Sequence, residues 1–482
     1  MLIFSMGMLS MACPAENEEE PIEERPIENE PITEIILENE SLDLTIGARE
    51  KLIYTTVPAG KENQLLWSSS NTAVAGVSGN GTVTATGFTS GGSDKYTSGA
   101  ALGTAVITVK TEDGSIEKSI TVNVTTAAQE DLMSVPPLKN QFNRYFLVGN
   151  IATRNDTDGK KITKQGLLRH FNMLTAENDM KPQNITNNRT GNTISWTWTN
   201  ADNFVNGALE SGFLVHGHTL LWHSQNAAWI TAMGNANRDT ALTVMKEYIT
   251  AVVTRYRGKI YSWDVLNEVF PDGLGPTADW KTSMRQENPW FKAIGQEFVY
   301  EGFLAARLAD PSAILYYNDF NTDNANKARV IANMVRDVNN LYKANYPGET
   351  RLLIDGIGMQ EHHNTGVSAV NVKNALNQFR NLGVKISVTE LDVLGQSWSE
   401  YSANTAPNLA ANSTVTNQGL MNQAKLYGEY MQVYADNADI IERVSFWGLT
   451  DNQSWRSKGL PLLFDSDGKA KPAYYSVIKA LD

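Results

Sequence analysis

Two glutamates stand at the ends of apolar, β-branched runs 122 residues apart: Glu268 closes YSWDVLNE (261–268), and Glu390 lies near the end of KISVTELDV (385–393). Cleavage of a glycosidic bond needs two carboxyl groups facing one substrate. Parallel β/α barrels gather such groups at the C-terminal ends of their strands. The pair therefore predicts an eight-fold barrel with acid-assisted chemistry at one mouth.

The two carboxyls would need different environments. One must arrive protonated near neutral pH to donate to the departing oxygen, which apolar or like-charged surroundings permit, and Glu268 is the candidate. The other must stay ionised to attack the anomeric carbon. Glu390 suits that role, because His362 and Asp392 can form a polar chain with it, Asp392 being two residues along the same strand face.

The elements that would position them alternate between apolar runs and helix-period segments, the signature of a parallel sheet. Candidate strands are 146–153, 173–178, 214–222, 261–268, 313–319, 353–360, 385–393 and 443–451. Between them lie helical segments such as 326–345, where Val330, Met334, Val335, Val338 and Leu341 recur at helical spacing. The segment 471–481, with Pro472 in its first turn, would close the ring.

At 482 residues the chain has room for one such barrel plus something smaller. The formal charge is −13, of which −10 falls in residues 14–40 with their eleven Glu and one Arg. The remainder is close to neutral and offers no basic footprint, which argues against nucleic acid as a partner and suits a neutral polysaccharide. Residues 14–32 are dense in Pro and like charge, a composition that reads as an extended acidic tether.

Cys13 is the only cysteine, so disulfides within the chain and a Cys-rich metal site are both excluded. The preceding MLIFSMGMLSMA is a short apolar run ending in small residues, shorter than a membrane span and readable as a secretion signal over residues 1–13. LSMAC resembles a bacterial lipobox, although no Lys or Arg precedes the run and Ser10 stands where Leu is usual. That resemblance implies lipidation at Cys13 and a secreted or cell-surface lipoprotein, most naturally on a Gram-negative outer membrane. The lipid would be the chain's sole hold on a membrane.

From Thr33 to Thr125 short alternating runs are separated by Gly, Asn and Pro, which predicts a small all-β sandwich. WSSSNTAVAGVSGNGTVTATG followed by GTAVITVKTEDG resembles the group 2 bacterial immunoglobulin-like domain. Residues 87–103 look like an insertion in it. Trp67 is its only tryptophan and is expected in the core, which favours a spacer or stalk over an independent sugar-binding module. A linker-like passage, 125–140, leads into the barrel, expected over 131–482.

Across that larger part, TAENDMKP (175–182), HGHTLLWHSQ (216–225), WDVLNE (263–268), YNDFN (317–321), DGIGMQEH (355–362), TELDV (389–393) and WGLTDNQSW (447–455) resemble, in order, the strand-end motifs of glycoside hydrolase family 10. The resemblance implies a (β/α)8 TIM barrel and endo-1,4-β-xylanase activity by double displacement, with Glu268 as acid/base, Glu390 as nucleophile and no cofactor. It further implies that Glu177, Asn178, Lys181, His218, Gln225 and Asn267 hydrogen-bond the sugar on the non-reducing side of the cut, Asn267 at the 2-hydroxyl. Trp222, Trp447 and Trp455 would wall the site, and Gln360 and Phe320 would lie near the cut. The family often has Tyr where Phe320 stands, so a hydroxyl contact is missing there. Xylan or xylo-oligosaccharides are the implied substrate and a monomer the expected state.

Two other readings stay open. His216, His218, His223, His362 and His363 suggest a metal-dependent barrel hydrolase, but that needs a ligating Lys or His at the fourth strand end, where Asn267 and Glu268 stand. No metal is therefore expected. The sandwich and tether could instead belong to an adhesin on an inactive barrel, yet such a protein has no need of both glutamates. Within the hydrolase reading, a β-1,4-glucanase on the same barrel remains the nearest alternative, because one hydroxymethyl group separates the substrates.

Overall fold

Near-continuous apolar runs such as KISVTELDV belong in a parallel sheet buried on both faces, and that is where they lie. The computed structural model describes residues 30–45, 48–72, 74–85, 103–125 and 130–481. Its barrel strands, first to eighth, are Leu147–Ala152, Met173–Ala176, Leu214–Gly217, Ser262–Asn267, Ile314–Asp319, Gly356–Met359, Lys385–Val393 and Ile441–Phe446. All pairings are parallel, and the eighth strand pairs with the first, from Leu147 opposite Arg443 to Asn150 opposite Phe446. The ring is closed.

A helix follows each strand, the longest being Ala325–Asn345 after the fifth and Asn417–Asp436 after the seventh. Side-chain caps start several of them: Asn324 accepts from the backbone of Asn326 and Lys327, and Thr416 from that of Gly419. Pro472 opens the last, Pro472–Ile478, where its missing N–H costs nothing. In Ala325–Asn345 the buried stripe steps by four from Met334 through Val338 to Tyr342. Leu341, expected on that stripe, is exposed because steps of four, each overshooting a full turn by about 40°, carry the buried face to Tyr342 instead.

Two strand ends differ most from expectation, by five residues each, while the sixth strand begins three residues later than expected. The third strand stops at Gly217 rather than running to Trp222, and Leu221 rejoins the sheet only through a bridge to Leu266. Gly217 itself is dictated by packing, since a Cβ there would stand 2.1 Å from the Trp263 ring. The eighth strand runs Ile441–Phe446, so the stretch from Trp447 to Asp451 leaves the sheet and is free to cross the mouth.

The N-terminal part forms a four-stranded sheet from Ser41–Thr45, Glu117–Thr125, Gly103–Thr111 and Leu65–Ser69, with a three-stranded sheet from Arg49–Lys51, Thr82–Ala85 and Ala75–Val77 and a short pair from Glu34–Leu37 and Tyr54–Val57. Alternate residues Ala105, Ile107, Ile120, Val122 and Val124 meet Leu42, Leu44 and Val83 in its core. Trp67 packs beside that core, its ring edge-on to Tyr54 at 4.9 Å. Cys13, nearly all of the acidic tether, and the expected insertion as far as residue 102 lie outside the described residues. Among the described residues no helix is long and apolar enough to cross a membrane.

Candidate active site

The C-terminal mouth of the barrel holds a cleft of about 710 Å³, and both Glu268 and Glu390 line it. Glu268 follows the fourth strand with φ +54°, a left-handed backbone that turns its side chain into the cleft. Its Oε2 accepts from Trp222 Nε1 at 2.9 Å and its Oε1 from Gln360 Nε2 at 3.0 Å. His223 Nε2 lies 3.9 Å from Oε2, and Arg285 Nε donates to the Glu268 carbonyl at 3.0 Å.

Glu390, on the seventh strand, is only 4% exposed. Its Oε1 accepts from Asn318 Nδ2 at 2.8 Å and its Oε2 from His362 Nε2 at 3.2 Å. A chain of amides joins the two carboxyls. Gln360 Nε2, besides reaching Glu268, donates to Asn267 Oδ1 at 3.2 Å, and Asn318 Nδ2 donates to the same oxygen at 3.0 Å. Thr389 Oγ1 donates to Asn318 Oδ1 at 2.7 Å, fixing which end of that amide faces Glu390. Asn267 thus accepts twice through its oxygen, which leaves its Nδ2 for a ligand.

Charge behind Glu390 sets its ionisation. Burial pushes its carboxyl up, but the hydrogen bond from His362 and the fields of His218 and His362 outweigh that and hold it below the ordinary glutamate value. His362 is itself pulled down by burial, and the Asp392 and Glu390 carboxylates overcome this to raise it to about 9. It is an imidazolium at neutral pH, donating through Nδ1 to Asp392 at 3.0 Å as well as through Nε2 to Glu390. Asp392 lies behind the cleft wall, where burial would raise its carboxyl, but His362 and Arg456 bring it to about 2. It also accepts from Trp455 Nε1 at 3.0 Å and Arg456 at 2.6 Å.

The expected sugar-binding residues Glu177, Asn178, Lys181, His218, Trp222, Gln225, Asn267, Phe320, Gln360, Trp447 and Trp455 all line the same cleft. Lys181 Nζ donates to Gln225 at 2.8 Å and Asn178 at 3.1 Å and sits 5.4 Å from the Trp222 ring centre. Burial lowers Lys181, against the opposing fields of Glu390, Glu177 and Glu268, while burial raises Glu177. Trp447 is buried and Trp455 is 53% exposed, so one indole closes the floor and the other stands at the rim. Trp222 is tied to Glu268 through its ring nitrogen rather than packed as core. Beside Phe320 a buried lysine, Lys327, holds its ammonium 3.7 Å from the ring centre and 2.8 Å from Asp319.

Several residues went unnoticed in the sequence. Asn318 sits inside the YNDFN motif but touches the sugar side only through Asn267 and Glu390, so nothing in its spacing marks it. Asp272, Asn321, Asn364, Trp398 and Arg456 also line the cleft, all from segments beyond the strand ends, Trp398 from the start of a short helix. Asp264 anchors the third strand's histidines from below: His218 Nδ1 is 2.9 Å and His216 Nε2 3.0 Å from its Oδ2. Burial brings His216 down to about 4. His363 points away from the cleft to Glu361 at 2.7 Å. His216 and His218 thus share Asp264 while His362 and His363 turn to other carboxylates, and among the described residues no group of three or more His, Cys, Asp or Glu is arranged to hold a metal ion.

A closed parallel barrel with two carboxyls joined across its C-terminal mouth, one held ionised, defines the class of barrel glycoside hydrolases. The family model described as glycosyl hydrolase family 10 matches residues 137–480, and that of the bacterial Ig-like domain (group 2) matches residues 31–122. The chain belongs to glycosyl hydrolase family 10. It is similar to endo-1,4-beta-xylanase A of Thermotoga maritima, 33% identical over 71% of this chain and 31% of that protein. It is also similar to a protein of Acetivibrio thermocellus named exoglucanase XynX, 34% identical over 71% of this chain and 29% of that one. The chain thus spans about a third of the length of these curated relatives. A solved structure described as a bacterial Ig-like domain containing GH10 xylanase from termite gut is 50% identical, with a TM-score of 0.75, covering 91% of this chain and 98% of that one.

Proposed function

We propose that this chain is an endo-acting β-1,4-xylanase that cuts internal xylosidic bonds with retention of configuration. The observation that carries the reading is the unequal pair, Glu390 held ionised by an imidazolium and Glu268 set across the cleft from it. In the first step a Glu390 oxygen attacks the anomeric carbon, and the bond to the leaving oxygen breaks as that oxygen takes the Glu268 proton. In the second, the Glu268 carboxylate removes a proton from water, whose oxygen displaces Glu390. Asn267 Nδ2 would meet the 2-hydroxyl, a contact that strengthens as the ring flattens. Trp222, Trp447 and Trp455 offer rigid faces for the sugar's C–H groups.

The xylanase names carried by two of these relatives support xylan as the substrate. The exoglucanase name on another favours a second reading, a glucan-cutting enzyme on the same barrel. Product analysis on xylan, carboxymethylcellulose and mixed-linkage glucan side by side separates the two. The anomeric configuration of the first-formed product tests the mechanism: a product of inverted configuration would overturn the double displacement. Retention on xylan without turnover would favour a binding protein.

The proposal extends to location. The lipobox-like LSMAC and the acidic run behind it support export and anchoring through a lipid on Cys13 at the cell surface.

A further inference from the structure

A second cavity lies beside the catalytic cleft. It has a volume of about 900 Å³, and its walls include Gln396, Glu400, Asn404, Thr405, Gln418 and Asn422. One ridge separates the two. Asn364 faces the cleft and the next residue, Thr365, faces the groove, and Thr365 N is bonded to Gln396 O at 3.3 Å. The short helix Trp398–Ala403 straddles that ridge, with Trp398 on the cleft side and Glu400 and Ala403 on the groove side. Trp398 is 57% exposed and stacked on Tyr401 at 5.7 Å, a rigid indole at the crossing point.

The chemistry of the groove is that of sugar hydroxyls. Its walls are amides, hydroxyls and backbone, and Glu400 is the only charged residue among them. Part of Glu400 is already committed, since its Oε2 accepts from Ser397 N at 2.8 Å and Ser397 Oγ at 2.6 Å. An anionic ligand would find no counter-charge there. Gln396 belongs to the framework of the wall: it is 5% exposed and its Oε1 accepts from Thr414 at 3.2 Å. The amides of Gln418 and Asn422 stand exposed on the groove side.

We propose that this groove is an accessory saccharide site, holding an uncharged polysaccharide chain that has passed over the Trp398 ridge from the catalytic cleft. The inference rests on the xylanase reading. The exposed amides of Gln418 and Asn422 bond sugar oxygens, and the indole of Trp398 guides the chain between the two cavities. Short substrates that fill only the cleft do not use it.

The test employs the full chain. Retention on insoluble xylan is measured in the Glu390→Gln background, and turnover of xylan and of an aryl xylobioside in the active background, for Thr405→Trp, which fills the groove, and for the double substitution Gln418→Ala, Asn422→Ala. The expected result is about a fivefold loss of xylan retention and a matching rise in KM for xylan, the size that loss of a few hydrogen bonds gives, with aryl xylobioside turnover unchanged within about twofold. Retention equal to the parent's in both variants would overturn the site. Absence of all turnover in the parent would instead strike the xylanase reading, and the retention comparison would still report on the groove.

Discussion

His362 donates from Nε2 to Glu390 at 3.2 Å, so the buried carboxylate leans on a cation that is itself sustained by Asp392. His362 is raised from 6.5 to about 9, which means its contribution to stability is complete below about pH 6.5 and is lost as pH rises through about 9. Unfolding by urea at several pH values should show this loss in the parent and not in His362→Gln. The same substitution removes the charge that offsets Glu390's burial, so the acid limb of kcat/KM moves to higher pH. An unmoved acid limb would deny the imidazolium any hold on Glu390.

The proposed division of labour between the carboxyls is tested by leaving group. Glu268→Ala should cost xylan cleavage about 10²–10⁴-fold yet largely spare bond breaking in aryl glycosides whose leaving groups need no proton. Glu390→Gln should abolish turnover of both. Equal losses on both substrates for Glu268→Ala would contradict its role as acid.

Asn318 does not line the cleft but bonds both Asn267 and Glu390 and so positions them together. Asn318→Ala should lower kcat by about 10²-fold, because small displacements of reacting groups have effects of that order. Asn318→Asp brings a carboxylate beside Glu390 and should raise the acid limb of the pH profile, a shift that simple loosening would not produce.

Glu361 lies between Gln360 and His362 and faces the opposite way, accepting from His363 at 2.7 Å, Tyr434 at 3.0 Å and Thr322 at 3.1 Å. Its burial pushes the carboxyl up, and His363, Tyr434 and Thr322 bring it below 4.5, so its stabilisation is present above that pH and lost as pH falls through the lowered value. Glu361→Ala leaves the buried donors of His363, Tyr434 and Thr322 without their acceptor and should destabilise the chain by about 1–3 kcal/mol in urea unfolding.

Anchoring is read by fractionation. Cys13→Ser should move the protein from membrane to soluble fractions, and unchanged partitioning would argue against a lipid at that position.

The eight strands were legible because parallel strands buried on both faces read as apolar runs, and the barrel rule then placed Glu268 and Glu390 at one mouth. Strand ends were less legible. The run to Trp222 stays apolar past Gly217, yet the sheet stops there, since hydropathy does not record where the backbone turns. Leu341 and Tyr342 are both apolar enough for the stripe, and only the helix phase decides between them. Asn318 and Arg456 act on Glu390 and Asp392 through contacts that arise only when distant strand ends meet. Trp398 sits in a loop helix whose direction no periodicity fixes.

Glu268 leaves its strand with φ +54°, where a side chain strains the backbone by about 1–3 kcal/mol and glycine does not. The substitution that would most relax this turn is thus the one that erases the proposed proton donor. At this position durability and turnover oppose each other, and selection for a tougher fold alone would arrive at an inert one.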